Sequence, residues 1–182
     1  MDLRPVPLNS FLTDLVSISQ STFDTLIKME EFAEDKNIKQ PNGYLSVLDV
    51  ATGKLLLCQH LGTATVEVKA TDVVGPDYLR FLDSNLRLAL ANAIRLWSAY
   101  KQFKTCVTAS QCANRDNHEG GGAVASKQVI LSVAGLGGEA SEALAIGIAV
   151  QMNFFAMSKT QALEIARTTH NPLIRPLLIE VL

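Results

Sequence analysis

The sequence predicts one α/β domain in which an antiparallel sheet is flanked by helices. Three observations predict it. Two apolar ribbons, 44–60 and 122–134, each fold back through a short turn, and hairpins build antiparallel sheets. Helical segments lie before, between and after the ribbons, and such helices need a sheet face to cover. A chain of 182 residues supplies one well-buried core and is short for two. The expected organisation is therefore a single domain over 1–182, with its core at about 25–157 and a C-terminal helical extension at 158–182.

Residues 1–9 hold Pro5 and Pro7 and read as an extended arm. From Ser10 to Lys36 the apolar residues fall at helical spacing: Phe11, Leu15 and Ile18, then Phe23, Leu26, Ile27 and Phe32. The segment predicts one long helix, or two broken near Gln20-Ser21, with Ser10 and Ser21 as N-caps. Pro41-Asn42-Gly43 ends it. Tyr44 to Asp49 then reads as a strand, Val50 to Gly53 as a turn with glycine suited to positive φ, and Lys54 to His60 as the returning strand. Asp49 stands where its carboxylate can accept from the turn backbone. Thr63 to Thr71 reads as a third strand or an extended loop.

Asp77 to Tyr100 is the clearest amphipathic helix, with Leu79, Leu82, Leu86, Leu90, Ile94 and Trp97 as its apolar stripe. Thr105 to Ala109 is a short candidate strand, which brings the expected sheet to about five strands. A polar loop at 114–119 runs into Gly120-Gly121-Gly122. Ala123 to Ala125, a Ser126-Lys127 turn and Gln128 to Ala134 make the second hairpin. Gly135-Leu136-Gly137-Gly138 leads into a helix from Glu139 to Met157. Ser158 opens a last helix through a capping box with Gln161. That helix ends at His170-Asn171-Pro172, with Asn171 as a candidate left-handed cap. The helix around Ala143 to Met157 is apolar all round, so it must be covered on several sides, by the C-terminal extension or by another subunit. Together with a charged fraction of only 19%, this predicts a symmetric homo-oligomer.

Composition narrows the function. A net charge of −2 supplies no positive field for nucleic acid. No run reaches the ~20 apolar residues of a membrane span. Met1 to Pro5 lacks a basic region followed by an apolar run, so a cytoplasmic location is expected. Cys58, Cys106 and Cys112 are odd in number and have no metal-type spacing; they read as small buried hydrophobes. Neither a Gly-x-Ser-x-Gly elbow nor a His-Glu-x-x-His helix is present, and no residue is assigned a catalytic role.

The candidate binding residues cluster around glycines. Gly120-Gly121-Gly122 reads either as a loop whose amides approach an anion or carboxylate or as a tight entry into the hairpin. Gly135 to Gly138 could offer a helix N-terminus to an anion, but Glu139 and Glu142 would compete with it. His170 ends a helix, where a cation suits the dipole. His60 and His118 read as surface or turn residues unless the loops converge; then His118, Glu119 and His60 form a ligand cluster. Alternation puts Cys58 and His60 on one face of their strand. A haem would need one imidazole, or a thiolate such as Cys58 or Cys106.

Three segments, in order, resemble the GlcG/HbpS-like haem-binding protein family. The first is Tyr44 to Leu57, an apolar strand ending in Asp49, turning through Gly53 and returning apolar. The second is the Ala-rich helix Leu82 to Trp97. The third is Glu119-Gly120-Gly121-Gly122, a short hairpin, Ser132-Val133-Ala134-Gly135 and a small-residue helix from Glu139. The resemblance implies a three-layer profilin-like sandwich, homo-oligomerisation and a small ligand, haem or a corrinoid-related molecule. With the glycine loop and the condition that the loops converge, the candidate binding site is His60, His118, Glu119, Gly120, Gly121 and Gly122. Residues 10–37 contain no histidine to match the helix-borne haem ligand of some members. The other reading is a non-catalytic oligomeric structural or interaction protein.

Overall fold

The two hairpins join into one sheet. β1 (Gly43–Asp49) and β2 (Leu55–Leu61) form the first, and β3 (Gly122–Ala125) and β4 (Val129–Ala134) the second. β1 pairs antiparallel with β4, which gives the order β2-β1-β4-β3. The structure is a computed structural model that describes residues 8–33, 42–62, 84–102, 108, 122–152 and 157–182. The helices among them are α1 (Leu8–Leu26), α2 (Glu30–Ala33), α3 (Ser84–Gln102), α4 (Gly138–Gln151), α5 (Lys159–Thr169) and α6 (Ile174–Glu180). Four strands are described where sequence predicts about five. Thr108, within the expected strand 105–109, makes a single antiparallel bridge to Val124. Segment 63–71 lies outside the described residues.

The turn chemistry fixes both hairpins. Gly53 takes φ +71°, and Trp97 closes the space beside it: a Cβ there would stand 2.8 Å from the ring. The Trp97 Nε1–H donates to the Val50 carbonyl at 2.9 Å. Asp49 accepts from the Thr52 amide at 2.9 Å and from the Thr52 hydroxyl. The hydroxyl bond is the chief reason that the Asp49 carboxyl lies below the ordinary aspartate range. In the second turn the Ser126 Oγ accepts from the Val129 amide at 2.9 Å.

Alternation along the strands sorts the core into two clusters. Leu45, Val47, Leu61, Val124, Leu131 and Val133 point to the face covered by α1, α4, α5 and α6. Leu48, Ile130, Ala123 and Ala125 point to the other face and meet Ala93, Leu96 and Tyr100 of α3. Helices on both faces of one sheet make three layers.

The α4 helix is buried from Ala140 to Val150. It packs on β3 and β4, with α1 and α6 over its remaining sides. A Cβ on Gly147 would stand 3.0 Å from a Leu177 methyl of α6. The C-terminal extension is one cover of this helix, and together with α1 and the sheet it buries Ala140 to Val150 within one chain. Asn171 ties the extension down: its Nδ2 donates to the Glu139 carbonyl at 2.8 Å and to Glu142 Oε2 at 2.9 Å, and its Oδ1 accepts from the Leu173 amide at 3.0 Å.

Several elements differ from expectation. α1 begins at Leu8 and runs unbroken through Ser10 and Ser21, so neither serine is a cap; the break falls at 27–29. Two threonine hydroxyls in this helix are absorbed by i−4 bonds, Thr22 to the Ile18 carbonyl and Thr25 to the Ser21 carbonyl. α4 ends at Gln151, short of Met157. The Ser158–Gln161 capping box is present. The left-handed residue after α5 is His170, at φ 58°, because the Asn171 side chain is committed to α4. The buried stripe of α3 is Ala89, Asn92, Ala93, Leu96 and Tyr100, while Ile94 is 51% exposed. The sheet beneath presents the small residues Ser46, Ser132, Ala123 and Ala134, and a small stripe on the helix lets the two surfaces close-pack. Cys58 is exposed rather than buried: it lies on edge strand β2, whereas α3 lies over β1, β3 and β4.

Candidate functional site

The strand register arranges the side chains on the α3 face in rows. His60, Tyr44 and Ala134 form the first, Cys58, Ser46, Ser132 and Ala123 the second, and Leu48, Ile130 and Ala125 the third. The third row continues into the apolar cluster of Val50, Leu96 and Tyr100. The first two rows hold small or polar side chains and no large aliphatic one. Ser46 and Ser132 are fully buried, and Asn92 of α3 is 2% exposed. Yet Ser46 Oγ, Ser132 Oγ and Asn92 Nδ2 have no hydrogen-bond partner. A buried polar group without a partner costs about 1–3 kcal/mol. Buried polar atoms are nearly always paired, so three orphans on one face of one helix–sheet contact are unusual.

His60 stands at the rim of this polar half. Its Nε2 is buried and has no hydrogen-bond partner. Its ring meets Tyr44 edge-on, with centroids 5.1 Å apart and planes at 78°. The α3 face is therefore divided. It is apolar toward the two hairpin turns and polar toward the end where Gly43, Gly62, Gly122 and Gly135 stand at the strand termini. The first turn of α3 lies at that same end: a Cβ on Gly135 would stand 3.3 Å from the Asn85 carboxamide carbon.

The residues nominated from sequence divide as follows. His60 lies in the polar half. Gly122 lies at the same end of the sheet but on the opposite face, where a Cβ would meet the Ser141 carbonyl oxygen of α4 at 2.4 Å. Its lack of a side chain serves the close approach of β3 to α4. β2 and β3 are the two outer strands, three spacings or about 14 Å apart. His60 and Gly122 are thus not brought together. His118, Glu119, Gly120 and Gly121 lie outside the described residues. Cys58 shares the His60 face, since the two pair with Ser46 and Tyr44. Although the side chain reaches solvent, neighbouring chain desolvates the thiol and pushes its pKa up, which disfavours a thiolate ligand.

The other candidates are structural. Gly137, at φ +83°, is the N-cap residue of α4, and Glu142 is buried against Asn171. An open groove of about 290 Å³ lies between α1 and the end of α4, lined by Asp14, Ser17, Ile18, Gln151 and Met152. Gln151 there already donates to Thr22 Oγ1 and to the Gly147 carbonyl. Among the described residues, no three His, Cys, Asp or Glu side chains gather as a metal site, and no helix is long and apolar enough to cross a membrane.

Sequence reasoning missed Ser46, Ser132 and Asn92. The signal for the serines was their phase. Each sits two residues from the glycine-side end of an alternating strand, at Tyr44-Leu45-Ser46 and Ser132-Val133-Ala134. Two antiparallel strands in that register place them side by side. Comparison with family models, with curated proteins and with solved structures finds no match to this chain.

Proposed function

We propose that this protein binds a small molecule on the polar half of the α3 face, beside His60, and that its sheet and helices are a profilin-like sandwich of the GlcG/HbpS-like type. The observation that carries the reading is that four of the six buried polar side-chain atoms without partners among the described residues, Ser46 Oγ, Ser132 Oγ, Asn92 Nδ2 and His60 Nε2, gather on this face. A fold keeps such groups at a stability cost when something else uses them. The resemblance of 44–57 and 119–139 to that family supports the same conclusion.

Haem is the ligand class the resemblance implies, and His60 fits one requirement for it. A single imidazole nitrogen with no competing hydrogen bond can serve as an axial ligand, and the edge-on contact with Tyr44 holds the ring in place. Bound haem would supply the site with redox and diatomic-ligand chemistry. Cys58 is the weaker ligand, because its raised pKa opposes the thiolate.

Two measurements test the proposal. Native mass spectrometry of the protein as isolated is expected to show a small-molecule adduct. Haemin titration is expected to give a saturable Soret shift that H60A weakens at least about tenfold. An adduct without a Soret shift removes haem and leaves small-ligand binding. The absence of both an adduct and a saturable shift overturns the proposal.

A second reading, an oligomeric interaction protein, draws on the exposed Leu163, Ile179 and Leu182 of the C-terminal region. Sedimentation at micromolar concentration tests it. An assembly that I179D dissociates supports it, and a monomer of 19.7 kDa contradicts it.

A further inference from the structure

The α3 helix is held at one end and poised at the other. Its C-terminal half is locked to the sheet. Leu96 and Tyr100 are buried with Leu48, Val50 and Ile130, and the Trp97 Nε1–H bonds the Val50 carbonyl at 2.9 Å. Its N-terminal half lies over the two polar rows, where Ala89 and Asn92 are its buried residues. That half covers the Ser46 and Ser132 hydroxyls and brings its own Asn92 Nδ2 to the same contact, and none of these three atoms has a hydrogen-bond partner. Contact there is made by small side chains and carries orphaned dipoles. Local opening is therefore easier at this half than at the locked end.

The chemistry of the lining limits what can enter. The described residues facing it are Tyr44, Ser46, Cys58, His60, Ala89, Asn92, Ala123, Ser132 and Ala134. None is a carboxylate, a lysine or an arginine; Arg87 and Arg95 of α3 are exposed. A charged group buried among these side chains would be stripped of water with no countercharge supplied by them, and that is strongly disfavoured; the propionates of a haem held at His60 would therefore have to stay in solvent. The unsatisfied groups are two hydroxyls and one N–H₂, which together favour a ligand that accepts hydrogen bonds.

Resting on the small-ligand reading, we infer that the N-terminal half of α3 opens to admit a small uncharged molecule bearing a hydrogen-bond acceptor of amide or lactam type. Ser46, Ser132 and Asn92 are its binding residues. His60 stands at the entrance, on the side of β2 that α3 leaves uncovered.

Acetamide, acetate and acetamidinium are matched probes for this site, because they share size and shape and differ in charge. They are titrated into the full chain to about 50 mM, the range suited to so few atoms, and followed by assigned amide NMR. Acetamide is expected to shift the amides of 44–46, 89–93 and 132–134 saturably, with the two ions at least about tenfold weaker. In S46A/S132A, and separately in N92A, the acetamide response is expected to be lost. The serine variant is expected to keep its fold, since removing unsatisfied hydroxyls relieves rather than strains the core. Ions binding as well as acetamide, an unchanged response in S46A/S132A, or no response to acetamide at these amides overturns the inference. If an adduct or a Soret shift is still seen in the native protein, the small-ligand reading survives that failure.

Discussion

Replacing Ser46 and Ser132 by alanine is expected to make the protein more stable. Both hydroxyls are fully buried and neither has a partner, so each carries a penalty of about 1–3 kcal/mol. Removing one oxygen leaves a void of roughly 15 Å³, which at 24 cal/mol per Å³ costs about 0.4 kcal/mol. The net gain is about 0.6–2.6 kcal/mol per site. For a chain of this length each kcal/mol raises Tm by about 2–4 °C. Urea unfolding of the wild type, both single variants and the double variant measures these differences. The two residues are direct cross-strand partners, so the cycle also reads their coupling. Independent orphans give additivity within about 0.5 kcal/mol. A loss of more than about 1 kcal/mol in either single variant, the size of a net hydrogen bond, would refute the reasoning, because it would mean that the hydroxyl is engaged.

Other perturbations test the frame around the site. G122A pushes a methyl group to 2.4 Å from the Ser141 carbonyl oxygen; backbone cannot swing aside as a side chain can, so a loss of about 3 kcal/mol or more is expected in thermal unfolding. Deleting 171–182 removes the buried Leu173, Ile174, Leu177 and Leu178. At about 1.5–3 kcal/mol each they sum to about 6–12 kcal/mol, comparable with the whole stability of a domain. The truncated chain is therefore expected to be insoluble or unfolded, and a soluble truncation with native circular dichroism contradicts this. Asp49 titrates below its unfolded value because Thr52 holds its charged form. Its contribution is therefore present above the unfolded pKa and lost as pH falls through the folded pKa. The stability gap between wild type and D49N should narrow on acidification; a gap constant from neutral to strongly acid pH contradicts the assignment.

The hairpins were legible because their signals are local. Asp49 and Gly53 specify one turn, Ser126 specifies the other, and alternation assigns each strand two faces. The capping box at Ser158 was legible for the same reason. What failed depended on distant partners. The buried stripe of α3 could not be read from its leucines, because the sheet beneath it is lined with Ser46, Ser132 and Ala134, and small residues select the alanine stripe. Cys58 was expected in the core, but its place on an edge strand follows from the pairing of β1 with β4, which no local pattern encodes. Asn171 read as a cap and instead reaches Glu142, 29 residues away. Of the proposed site, His60 was legible as a histidine at a strand end. The serines beside it became visible only once β1 and β4 were in register.

The most direct test is a crystal structure of the full chain isolated in its native state. The expected result is non-protein density between α3 and the sheet, within hydrogen-bond distance of Ser46 Oγ, Ser132 Oγ and Asn92 Nδ2. A tightly closed contact in which the two serine hydroxyls bond to each other and Asn92 bonds to the protein would contradict it.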